Sequence, residues 1–77
     1  MKEAKDITFG ELERIAVKTR ESFFDHKNEG RMVGDIRKEI LSEFDLDSDD
    51  MKTVYLCKGF CMAYYELKIR YEGRITP

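Results

Sequence analysis

Cys57 and Cys61 stand four positions apart in a chain whose only histidine is His26, and thiolate and imidazole are common zinc ligands. A structural zinc site wants four such ligands, a catalytic one three and an open position, and paired cysteines in these sites most often enclose two residues. Here they enclose three. With His26 the set reaches three at most, so a carboxylate or a second chain would have to complete it. A thioredoxin-like redox pair also needs two intervening residues, placed at a helix start where the dipole lowers the thiol pKa. Cys57 and Cys61 lie inside their segment instead. A Cys–His nucleophile with Asp25 or Glu29 orienting the ring is the remaining arrangement. We read CKGFC as a packing seam: on a helix Cys57 and Cys61 share a face, and Gly59 and Ala63 lie on the adjoining one. A mid-helix glycine costs about 1 kcal/mol relative to alanine, which invites a packing reason for it. No metal and no cofactor is expected.

The second cluster is DLDSDD, with Asp45, Asp47, Asp49 and Asp50 within six positions. A calcium loop of the EF-hand type takes oxygen ligands from its first, third and fifth positions, which Asp45, Asp47 and Asp49 would supply. The pattern then breaks, because Asp50 occupies the glycine position and Leu56 that of the bidentate glutamate. As helix punctuation the cluster is coherent: Ser48 or Asp47 caps the next helix and the carboxylates sit at its positive pole. Bases follow, since Lys52 to Pro77 carries five Lys or Arg against two Glu, with Lys68, Arg70 and Arg74 near the far end.

These residues hang on three predicted helices. Thr8 followed by Glu11 is a capping box, with Ile7 and Leu12 as its hydrophobic staple. The helix it opens spans 8–29, its apolar stripe being Leu12, Ile15, Ala16, Thr19 and Phe23, and Gly30 is a left-handed stop. Phe23 and Phe24 point about 100° apart, so one of them is left at the surface. A turn at Asn28 to Arg31 leads to a second helix over 32–44, with Val33, Ile36, Ile40, Leu41 and Phe44 on one face. The two helices are antiparallel neighbours.

The last segment fits two templates. As a helix over 48–72 it lines up Leu56, Phe60, Ala63, Tyr64, Leu67 and Tyr71, with the cysteines at the edge of that stripe and Gly73 as its stop. As strands, Tyr65, Leu67, Ile69 and Tyr71 alternate with charged residues, and Lys58-Gly59 turns a hairpin. The acidic start and basic finish favour the helix. The expected fold is thus mostly α, a single small globular domain of three helices over 1–77, with an α+β arrangement of two helices on a C-terminal β-hairpin as the alternative.

Composition narrows the function. Seventy-seven residues, 42% hydrophobic and 39% charged, make one soluble globular unit. Such a chain hides only about 60% of the surface its unfolded form exposes, so self-association as a homo-oligomer, a dimer first of all, is expected. A net charge of −2 removes the simplest case for nucleic-acid binding. With no signal-peptide pattern and no run of about 20 apolar residues, we expect no membrane span and a cytoplasmic or intracellular location. Reduced thiols follow from that.

No phosphate loop, nucleophile elbow or acid pair is present, and a chain this short hardly encloses a substrate pocket of about 300 Å³. The expectation is a non-catalytic, regulatory interaction module that binds a protein partner. Tyr65, Tyr71, Arg70 and Arg74 are its candidate recognition patch, since Tyr and Arg are enriched at interface hot spots. Asp45, Asp47, Asp49 and Asp50 are a second candidate surface. Their acidity suggests a viral, phage-type inhibitor that occupies the nucleic-acid-binding surface of a host protein. The alternative is a small helix-turn-helix-like DNA-binding transcriptional regulator that presents Arg31, Arg37 and Lys38 to the duplex. Asp35, Glu39 and Glu43 dilute that field.

Overall fold

The computed structural model describes residues 1–75, with side chains through residue 71. Helix α1 spans Phe9–Phe23, α2 spans Val33–Glu43 and α3 spans Met51–Ile75, with 3-10 turns at Ala4–Asp6 and His26–Asn28. The mostly α, three-helix reading holds. Among the described residues there is no strand, only an isolated parallel bridge between Lys2 and Leu46. The hairpin alternative is therefore set aside. The alternation from Tyr65 to Tyr71 marks no buried sheet face, because Leu67, Ile69 and Tyr71 are all exposed.

Local chemistry accounts for the helix ends. At α1 the capping box closes as expected: Glu11 N–H donates to Thr8 Oγ1 at 3.1 Å and Thr8 N–H donates to Glu11 Oε1 at 3.1 Å. The helix stops at Phe23, six residues short of the expected 29. Asn28 is the cause, since its Nδ2 donates to the Ser22 carbonyl at 2.8 Å while the Asp25 carboxylate accepts from Lys27 N–H. Gly30, at φ 81°, turns the chain toward α2 and ends nothing.

α2 matches its expected span and ends in a Schellman motif. Leu46 N–H donates to the Leu41 carbonyl at 3.0 Å and Asp45 N–H to that of Ser42 at 3.1 Å. Asp45 takes the left-handed position at φ 58°, usually held by glycine. α3 begins at Met51 instead of 48, because Asp50, and neither Ser48 nor Asp47, is the capping side chain. It accepts from Lys52 N–H and Thr53 Oγ1, both at 3.1 Å. Gly73 does not stop α3, which continues to Ile75.

α1 lies between the other two helices, touching both. α1 and α2 run antiparallel, with Arg14 at Phe44, Lys18 paired to Glu43 and Arg37 over Phe23. Ile15, Ile36, Ile40, Leu41, Leu46 and Cys57 form the core, with Ile7, Leu12, Phe23, Phe44 and Val54 packed around it. Val33, expected on the inner face of α2, is exposed, as is Phe24 beside half-buried Phe23. The molecule measures 43 × 32 × 16 Å. α3, with 25 residues against 15 in α1, is about 37 Å long against about 22 Å and outruns its support.

Candidate functional site

The line of α3 that meets α1 is Thr53, Cys57, Cys61, Tyr64 and Lys68, all buried or half-buried. Phe9 meets Phe60, Ala16 meets Cys61 and Arg20 meets Tyr65. The cysteines are thus the seam itself and not its edge. Cys57 is 4% exposed, inside the core cluster. Cys61 Sγ lies 3.8 Å from the Ala16 carbonyl, to which it donates. Burial pushes both thiols up from their ordinary pKa against the opposing charge of Arg37, so neither is a ready nucleophile.

His26 does not join them. Its ring is exposed, with Nδ1 3.7 Å from Glu29, and among the described residues no three His, Cys, Asp or Glu side chains converge as a metal would need. Among the described residues, one depression of about 380 Å³ lies beside Glu13, Val17 and Glu21 of α1, and another of about 330 Å³ lies between Ala4 and Lys52. The described residues leave no buried side-chain polar atom unpartnered. No helix among them is long and apolar enough to cross a membrane.

The acidic corner serves local structure. Asp45 carries the left-handed turn, Asp47 accepts from Asp49 N–H at 2.9 Å, Asp49 lies 3.6 Å from Lys38, and Asp50 caps α3. The bases proposed to face a duplex are likewise engaged: Arg31 pairs with Glu39 and Asn28, Arg37 covers Phe23, and Lys38 meets Asp49. Glu39 holds the Arg31 guanidinium above its ordinary pKa, and Arg31 lowers that of Glu39 in return.

The tyrosine–arginine patch separates. Six positions put Tyr65 and Tyr71 about 120° apart on the helix. Tyr65 is half-buried under Arg20, 4.4 Å from the ring centroid, and its hydroxyl pKa is raised by burial. Tyr71 is 54% exposed, and Arg70 Nε donates to Glu66 Oε1 at 2.9 Å. The side chain of Arg74 lies outside the described residues.

What the structure brings together is an exposed surface along the stripe that the helical reading lined up on α3, of which only Tyr71 was expected at a recognition patch. Leu56, Ala63, Leu67 and Tyr71 are all exposed along α3, and Leu67 is 53% so. Phe9 extends this surface. It is 67% exposed, its ring edge-on to Phe60 at 5.3 Å, and Phe60 stacks on Tyr64 at 5.8 Å. Gly59 lies beside the surface, with nothing within 4 Å of where a Cβ would stand. A second line, Tyr55, Met62 and Ile69, is exposed on the opposite flank. The signal for such a surface was present: apolar residues occupy three sides of α3, and two short helices cannot cover three sides. Comparison with protein-family models, curated proteins and solved structures finds no match to this chain.

Proposed function

We propose that this protein is a non-catalytic interaction module that docks a protein through the outer face of α3. The observation that carries the reading is the row Leu56, Ala63, Leu67 and Tyr71, exposed beside Phe9 along the helix that outruns its support. Contiguous exposed apolar surface is uncommon on monomers and marks binding sites. Aromatic residues with arginine at the border, here Phe9, Tyr71 and Arg70, are the composition of interface centres. The shallow depressions and buried, pKa-raised thiols supply no competing chemistry. Regulation by occupancy of a partner's surface, inhibition included, belongs to the same reading.

A photo-crosslinking residue at Leu67 in cells should give a discrete protein adduct that disappears when Leu56→Glu is added. The same residue at Glu13, on the outer surface of α1, should give none. Absence of any adduct at Leu67, with the protein folded and expressed, would sink the reading.

A further inference from the structure

The docking face also indicates its occupant. Resting on that reading, we propose that a second copy of the chain covers it, the two α3 helices packed antiparallel across a two-fold axis.

The first argument is area. The molecule exposes 5724 Å², where a folded monomer of 9.1 kDa is expected to expose about 4,900 Å². That surplus belongs to the flat, elongated shape of the whole molecule, and the exposed Leu56, Leu67 and Tyr71 of α3 are part of it.

The second is register. Leu56, Phe60, Ala63 and Leu67 follow one another at intervals of four, three and four, the spacing of a coiled-coil seam. Two such seams running antiparallel about a point between 61 and 62 set Leu56 against Leu67 of the second copy, and Phe60 against its Ala63. Bulky faces small in the inner layers, and leucine faces leucine in the outer ones. Gly59 borders the seam with open space where a side chain would stand, so the backbones can approach there. A two-fold axis makes the surface complementary to itself, as an isologous dimer requires.

The third is charge, which selects the direction. Asp47, Asp49 and Asp50 stand at the start of α3, and Lys68 and Arg70 near its end. Antiparallel packing brings Arg70 of one copy toward the acidic start of the other and opposes the two helix dipoles. Parallel packing would set acid on acid and base on base. On the opposite flank, Lys58 interrupts the line between Tyr55 and Met62, and Glu66 interrupts it between Met62 and Ile69.

Sedimentation equilibrium of the purified chain over a micromolar concentration series should show a dimer. Leu67→Glu should weaken it by roughly 30-fold or more, as expected when a charge replaces the leucine set against Leu56 of the second copy, with helical circular dichroism retained because Leu67 is already exposed. Met62→Glu, 66% exposed on the opposite flank, should leave assembly unchanged. For direction, Leu56→Cys chains mixed with Leu67→Cys chains should form a disulfide-linked pair under mild oxidation, while Leu67→Cys alone should not.

A monomer at every concentration overturns the proposal, as does a dimer indifferent to Leu67→Glu. Self-linkage of Leu67→Cys overturns the antiparallel geometry. A monomeric chain whose Leu67 crosslinks to a different protein would retire self-association and leave the docking reading standing. A monomer with no adduct would retire both.

Discussion

Glu11 acts twice at one helix start. It completes the capping box with Thr8 and takes an ion pair from Lys2, which ties the first residues of the chain to α1. The bond from Lys2, followed by those from Thr8, holds its carboxyl at about 2, against an ordinary 4.5. A carboxylate depressed on folding adds stability that is complete above the unfolded pKa and lost as pH falls through the folded one. Wild type should therefore exceed Glu11→Gln in urea midpoint above about pH 4.5, with the gap closing as pH approaches 2. A gap that stays constant over that range would show that the ion pair and box do not set this pKa.

At the scale of elements, the ends of the helices depend on single side chains whose work is local. Asp45 adopts φ 58° to close α2, a conformation that costs most residues roughly 1–2 kcal/mol. Asp45→Val should lose about that much stability by urea unfolding, while Asp45→Gly should be neutral or stabilising. Equal effects from both would mean the carboxylate, and not the backbone, is what matters there. Gly59 sits mid-helix with room for a methyl group. In a Leu67→Glu background, where assembly is removed, Gly59→Ala should stabilise by about 0.5–1 kcal/mol. A loss would show that Gly59 packs inside the monomer.

At the scale of the whole molecule, a thin core supports a wide, flat body. The radius of gyration is 13.3 Å, where a compact chain of this length has about 11.5 Å. Leu41 is completely buried at the centre of the core. Truncation of such a leucine usually costs about 2–5 kcal/mol, a large share of the roughly 4–12 kcal/mol total stability expected for this length. Leu41→Ala should accordingly be largely unfolded, or lose most of its urea midpoint. A variant with native stability would mean the core extends beyond the cluster around Ile15, Ile36 and Ile40.

What the sequence determined by itself was what is encoded within a few residues. The Thr8 and Glu11 box, the inner face of α1, that of α2 from Ile36 onward and the helical period of the last segment need only near neighbours to be read. The reading of CKGFC as a seam held for its cysteines, which share a face at helical spacing wherever that helix docks, and failed for Gly59, which has open space where a packed neighbour was expected. Even local reading failed where a side chain reached across a turn, as Asn28 does to end α1 early.

The tertiary structure alone decided which side of α3 looks inward. Apolar residues lie on three sides of that helix, so periodicity gives no unique inner face, and α1 selects the line from Thr53 to Lys68 by packing Ala16 on Cys61 and Arg20 on Tyr65. The stripe through Leu56, Ala63 and Leu67 was thereby left exposed. Burial of one helix face depends on long-range docking and on the lengths of the other helices, and neither is written in any local window of sequence.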